Sequence, residues 1–274
     1  YNKEDDEQIE INHLKKYSRH MLILKVVLVI LVFIIITLPL FFVIRFNLNK
    51  NITSKAINNV NEYKNVNNYL LQITEHNIDF ERNTESFHNS KYFYKDNQYK
   101  KEMHSETPGV NIQNADSFEY GNINSKEKVK IIETQKVCYN VKANYILQKK
   151  DGFLDFMMIA LQPFSEDYGT LPNIWVQSGY NLRTDKYNGR KCYVLRLGDK
   201  SSYREIWIDK EQNTLVRTVD EIYNRSYSEK VYSIKSDVVT NEDVTLPNLT
   251  GYTIKDSEDN VPSEYIEIYE KLGI

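Results

Sequence analysis

Between Val26 and Ile44 the chain reads VVLVILVFIIITLPLFFVI, 19 residues without a charge. As a helix rising about 1.5 Å per residue, such a run covers roughly 28 Å, close to the hydrocarbon thickness of a bilayer. A soluble domain of this size rarely needs a helix that is apolar on every side, so the run is expected to cross a membrane. A cleaved signal sequence is the alternative, because Ser54 and Ala56 stand in the small-x-small relation that signal peptidase reads. They lie about ten residues past the run, and the run exceeds the ~7–15 residues of an ordinary signal core. No cysteine stands directly after the span, which disfavours a lipid-modified N-terminus.

Lys15, Lys16, Arg19 and Lys25 precede or edge the span, against Arg45, Lys50 and Lys55 after it. The excess places the N-terminus in the cytoplasm and the large C-terminal part outside. Residues 1–20 are read as a cytoplasmic tail, 21–45 as the transmembrane helix, 46–53 as a connector, 54–252 as an extracytoplasmic domain and 253–274 as a peripheral ending. A tail of about twenty residues cannot bury a core. The first residue is Tyr1 rather than methionine, so a domain upstream of it would reopen an intracellular role.

Composition narrows the class of the outer part. The 35 basic and 38 acidic residues nearly cancel, leaving a formal charge of −3, and no overall field recommends a nucleic-acid partner. Two cysteines are too few for a disulfide framework. The 21 tyrosines beside only 9 glycines suit pleated, half-buried positions, where a tyrosine ring is covered while its hydroxyl stays wet.

Periodicity supplies the elements. Ala56, Ile57, Val60 and Tyr63 form one face of a helix of about three turns, with Thr53 or Ser54 as its cap. From Tyr69 the period becomes two, and Tyr69, Leu71 and Ile73 share one face of a strand. Tyr92 to Met103 reads as a hairpin turning at Asp96-Asn97, and Asn188-Gly189 is a type I′ hairpin signal. Further strands are expected at Ser117–Gly121, Lys128–Glu133, Val137–Asn140, Lys191–Leu197, Tyr203–Asp209, Leu215–Ile222 and Tyr227–Lys235. One helix interrupts them, an almost wholly apolar segment from Phe153 to Leu161 ended by Pro163. A loop over Glu166–Asn173 and renewed alternation from Trp175 follow it. Nine or ten strands recurring about every twelve residues describe an antiparallel meander.

Asn188-Gly-Arg-Lys-Cys-Tyr-Val-Leu-Arg-Leu, then Tyr203-Arg-Glu-Ile-Trp-Ile-Asp-Lys-Glu, then Leu215-Val-Arg-Thr-Val resembles the strand succession of LolA-like and LolB-like bacterial lipoprotein-carrier domains. It is most similar to membrane-anchored Gram-positive relatives and spore-germination lipoproteins. The signature occupies Asn188–Thr218, and the helix-then-meander order extends the resemblance over Thr53 to about Tyr252. It implies an α+β, β-dominated fold: a curved antiparallel half-barrel sheet covered by short helices. It implies also an apolar cavity under the Phe153–Leu161 helix, where Phe153, Phe156, Met157 and Leu161 either line the space or fill it. A transmembrane anchor departs from a freely diffusing shuttle.

Chemistry-bearing motifs are absent: no phosphate loop, G-x-S-x-G or H-E-x-x-H occurs. His76, His88 and His104 lack ligand spacing and are read as strand or surface residues, so no metal or cofactor is expected. Cys138 and Cys192 sit in separate strands and are read as independent buried thiols, a disulfide between them being the alternative that an oxidising location permits. The C-terminal Tyr265–Leu272, with Ile266, Ile268 and Leu272, reads as a turn docking at an edge. The residues together describe a single-pass, non-enzymatic extracytoplasmic binding domain for a lipid or an envelope protein. A sensor or regulatory module is the alternative, and an envelope enzyme ranks below both.

Overall fold

The structure, a computed structural model, describes residues 3–108, 116–149, 151–162 and 178–260. Within 3–20 only the backbone is described. The expected loop over Glu166–Asn173, residues 175–177 of the alternation expected from Trp175, and the Tyr265–Leu272 segment lie outside these residues, while the strand expected to end near Asp185 is found at Asn181–Tyr187. The chain divides into two compact units, residues 1–48 and residues 49–274.

Helix α1 (Lys3–Tyr63) is continuous, so the span, the polar stretch 46–53 and the amphipathic turns that end at Tyr63 are one helix. No proline or glycine stands between Arg45 and Tyr63 to break it, and Thr53 turns its hydroxyl back to the Asn49 carbonyl at 2.8 Å instead of capping a new helix. In the first unit the apolar residues are open on all sides, with Phe33 66% and Ile35 67% exposed. This segment is long and apolar enough to cross a membrane. Pro39 sits inside it, where the neighbouring turns carry the helix past the missing donor.

The second unit is a β-dominated α+β domain. Its strands are β1 (Asn68–Asp79), β2 (Thr84–Lys95), β3 (Gln98–Glu106), β4 (Ser117–Asn122), β5 (Glu127–Ile132) and β6 (Val137–Ala143), followed by helix α2 (Asp155–Leu161). After α2 come β7 (Asn181–Tyr187), β8 (Arg190–Gly198), β9 (Ser202–Asp209), β10 (Leu215–Ile222), β11 (Ser226–Ser236), the single turn α3 (Asn241–Val244) and β12 (Thr253–Asp259). The described residues form one open, curved sheet of twelve strands in the order β12-β6-β5-β4-β3-β2-β1-β11-β10-β9-β8-β7. Two meanders, β1–β6 and β7–β11, are joined where β1 pairs with β11.

The turns follow their residues. Asn188 and Gly189 have φ of 49° and 81°, the paired positive values of the type I′ hairpin expected there, and Asp96 and Asn97, expected only as a hairpin turn, have 47° and 69°. One strand was not expected. β12, Thr-Ile-Lys-Asp-Ser-Glu-Asp, has no hydrophobic alternation and is mostly exposed. It pairs in parallel with β6, so backbone hydrogen bonds rather than side-chain burial hold it.

Alternation sends Tyr69, Leu71 and Ile73, Tyr92 and Tyr94, Tyr99, Leu195, Ile206, Ile208 and Tyr232 to one face of the sheet, here called inner. Ile52, Ala56 and Val60 of α1 cover that face at helical spacing, and Phe153, Leu154, Met157 and Leu161 cover it from the α2 segment. Each fully buried aliphatic or aromatic side chain contributes about 1.5–3 kcal/mol against exposure. Tyrosine supplies much of this core: Tyr69 meets Tyr94 with ring centroids 5.1 Å apart, and Phe153 lies between Tyr92 at 4.9 Å and Tyr99 at 5.3 Å. The tyrosines are therefore more deeply buried than a strand with wet hydroxyls requires, and their hydroxyls find internal partners. Tyr99 donates to Glu119 Oε1 at 3.2 Å and Tyr94 to Asn97 Oδ1 at 3.4 Å.

Tyr69 differs, because its buried hydroxyl has no partner among the described residues. An unmet buried hydroxyl costs about 1–3 kcal/mol, so Tyr69→Phe is expected to raise stability by about 1 kcal/mol, while Tyr99→Phe lowers it by about as much. Urea unfolding of the full chain in detergent, compared across the two variants, checks the opposite signs.

Candidate functional site

The site is built from the surplus of an apolar helix. The segment 151–162 is hydrophobic around most of its circumference, yet one side suffices to cover the sheet. Phe153, Leu154, Met157 and Leu161, at i, i+1, i+4 and i+8, are 1%, 0%, 0% and 0% exposed. Phe156 and Ile159 remain 42% and 63% exposed, with Ala160 beside them. Between this second side and the inner face of the sheet lies a cleft of about 440 Å³. Ile73, Tyr92, Ile206, Thr218 and Tyr232 line it from the sheet, and Phe156, Ile159 and Ala160 from the helix. The Tyr92 and Phe156 rings stand 5.7 Å apart, centroid to centroid.

Of the four residues expected around a cavity, Phe156 lines this cleft, whereas Phe153, Met157 and Leu161 belong to the packed interior. Sequence reasoning did not single out Ile73, Ile206 or Tyr232. Alternation gives each strand an inner face; the β1·β11 pairing sets Ile73 opposite Tyr232, and the β10·β11 and β9·β10 ladders bring Ile206 beside them.

One end of the cleft is polar. Lys230 Nζ lies 3.2 Å from Glu75 Oε2, and Arg204 Nε donates to Asp220 Oδ1 at 2.6 Å. The hydrogen bond to Asp220 raises Arg204 above its ordinary value against the effect of burial, so it stays charged. His88 completes this end and exchanges a hydrogen bond with Ser105 Oγ at 2.9 Å. Both ion pairs balance internally, and this end has no net charge from them. Burial pushes the Tyr92 and Tyr232 phenols up, so both stay neutral donors within the cleft.

The three histidines do not converge. His88 faces the cleft, His76 stacks on Phe87 at 4.4 Å beside Glu85, and His104 pairs with Asp116. Among the described residues no group of three or more His, Cys, Asp or Glu is placed to hold a metal ion. The outer face carries a different device. Glu205, 5% exposed, accepts from Arg183 Nη1 at 2.9 Å, Arg196 Nη1 at 3.0 Å and Trp207 Nε1 at 2.9 Å. Its oxygens are fully engaged, and it fastens β7, β8 and β9 together.

Cys138 packs with Tyr120 and Ile131, and Cys192 with Val194, Trp207 and Val216, in separate clusters. Both are free thiols, completely buried, and burial pushes both above the ordinary thiol range. Iodoacetamide is therefore expected to leave the native chain unmodified and to add two groups after denaturation without reductant, read by intact-mass spectrometry.

The fold is a β-dominated α+β domain with a cleft on one face of an open sheet, preceded by an apolar helix. The sequence matches no protein-family model and no curated protein. Among solved structures the chain is similar to the Mycobacterium tuberculosis lipoprotein LppX, with TM-score 0.37, 10% identity, and 71% of this chain and 98% of that one covered. It is also similar to MucB, solved in complex with MucA(peri), with TM-score 0.30, 10% identity, and 72% and 60% coverage. A putative outer membrane lipoprotein-sorting protein domain from Vibrio parahaemolyticus aligns with TM-score 0.25, 10% identity, and 70% and 97% coverage. At these scores the likeness is one of general architecture, and the functional reading rests on the cleft itself.

Proposed function

We propose that this chain is a single-pass membrane-anchored binding domain, non-enzymatic, that takes the alkyl part of a lipid into the cleft between α2 and the inner face of the sheet. The observation that carries the reading is the cleft of about 440 Å³ that Phe156, Ile159 and Ala160 border, with Ile73 and Ile206 on its floor. It falls within the ~300–1,000 Å³ of small-molecule sites. Phe156 and Ile159 leave apolar surface exposed along the cleft, and an alkyl chain would cover it favourably. The two balanced ion pairs at one end orient a ligand without demanding catalysis. The lysine and arginine excess before the span supports an extracytoplasmic location for the domain.

The full chain in phosphatidylcholine nanodiscs, irradiated with a diazirine-bearing alkyl alcohol, tests the reading. Adducts are expected on Tyr92, Phe156 and Ile159, and Ala160→Trp, which fills the cleft, is expected to remove them while thermal unfolding by circular dichroism stays cooperative. Labelling confined to residues 21–44 overturns the proposal. Each methylene buried adds about 0.8 kcal/mol, so apparent affinity is expected to rise about fourfold per added methylene until the cleft is full.

A further inference from the structure

On the inner face the cleft borders a second surface of opposite character. Cross-strand neighbours run from Leu71 to Tyr92, then to Lys101, Glu119, Lys130 and Tyr139. The first two belong to the core, and from Lys101 onward the row is charged. Lys128 lies two residues from Lys130 on the same face, opposite Gly121. Lys255 faces Tyr139 from β12, its ammonium 5.9 Å from the ring centroid. Lys101 is the junction, since its Nζ stands 5.3 Å from the centroid of the same Tyr92 ring that borders Phe156 and the cleft.

The charges on this surface do not balance. Beside Lys101, Lys128 and Lys130 its carboxylate among the described residues is Glu119, 7% exposed, with both oxygens engaged, while Asp259 at the far end of β12 accepts from the Tyr145 hydroxyl. Glu119 Oε2 holds Lys128 at 2.9 Å and Oε1 accepts from Tyr99 at 3.2 Å. Lys101 and Lys130 have no ion pair among the described residues. Burial pushes the Lys101 ammonium down, Glu119 opposes the shift, and Lys128 and Lys130 add to it. Glu119 stands between Lys101 and Lys130 in the row but is buried and held by Lys128 and Tyr99, so a half-buried cation among like charges remains a standing cost that an anion reaching Lys101 and Lys130 from the solvent side of Glu119 would relieve. Lysine binds as a compact point charge and makes no demand for planar, bidentate geometry, so phosphate and carboxylate both suit it. The polar end of the cleft at Glu75, Lys230, Arg204 and Asp220 is already neutral and makes no such demand.

Resting on the cleft reading above, we infer that the ligand is an anionic amphiphile. Its alkyl chain lies under Phe156 and Ile159, and its phosphate or carboxylate head passes Tyr92 to lie on Lys101 and Lys130.

The test uses the full chain in phosphatidylcholine nanodiscs and two diazirine probes of equal chain length, an alkyl phosphate and an alkyl alcohol. The alkyl phosphate is expected to label the cleft at a concentration about tenfold lower, as one added charge-assisted contact implies. Lys101→Gln with Lys130→Gln is expected to abolish this preference and leave alcohol labelling unchanged. Inorganic phosphate at the probe's concentration is expected not to compete. Equal labelling by the two probes, or a preference that survives the double variant, overturns the head-group assignment while cleft labelling keeps the broader reading intact. Competition by inorganic phosphate equal to that of an unlabelled alkyl phosphate makes the site one for a free anion and overturns it as well. Failure of both probes to label the cleft overturns both proposals. Should the double variant lose alcohol labelling through misfolding, Lys130→Gln alone decides, and an undiminished phosphate preference there overturns the assignment.

Discussion

β1 and β11 pair over eleven positions, from Tyr69 with Ser236 to Asp79 with Ser226, across more than half the chain. Without this ladder the molecule would be two separate meanders, each with an apolar face and an open edge. With it, Ile73 lies opposite Tyr232 and Glu75 opposite Lys230, and the floor and polar end of the cleft exist. Closing so long a loop costs entropy that local contacts cannot return, and the return comes from one continuous inner face covered by α1 and α2. The ladder is therefore the element on which both core and site depend.

The cover is unequal, and the inequality produces the site. The end of α1 buries Ile52, Ala56 and Val60 on the face, with Ile57 and Tyr63 packed beside them, and covers its part closely. The α2 segment is apolar on more sides than it can bury. Its inner side fills the core through Phe153, Leu154, Met157 and Leu161, and its outer side leaves Phe156 and Ile159 over an open volume. An exposed apolar surface of this kind is unfavourable in water unless a ligand or partner covers it. Toward β3, β4 and β5 the same face changes from tyrosine and leucine to lysine, so apolar and cationic surfaces meet at Tyr92 and Lys101.

Much of this was legible in the residues. The hairpin turn at Asp96-Asn97, the type I′ signal at Asn188-Gly189 and the alternations at Tyr69–Ile73 and Tyr203–Asp209 marked turns and strands where they occur. β12 was illegible because an edge strand held by parallel backbone hydrogen bonds has no need of hydrophobic alternation. The continuity of α1 through 46–53 was hidden for a related reason: polar composition resembles a connector, while nothing in the stretch prevents a helix from continuing. At the site, the apolar character of Phe153–Leu161 marked a covering helix, but which of its sides faces the sheet depends on the direction of packing. Phe156 thus lines the cleft while Phe153, Met157 and Leu161 lie in the core.

By itself the sequence determined an apolar span, a strand-rich domain after it and one apolar helix among the strands, because hydropathy and periodicity act over neighbouring residues. Tertiary structure alone decided that β1 meets β11, that a cleft remains beneath α2, and that Lys101 and Lys130 share a face with Tyr92. Those outcomes follow from register between strands distant in the chain. A shift of one residue in any of these ladders would carry the same side chains to the opposite face.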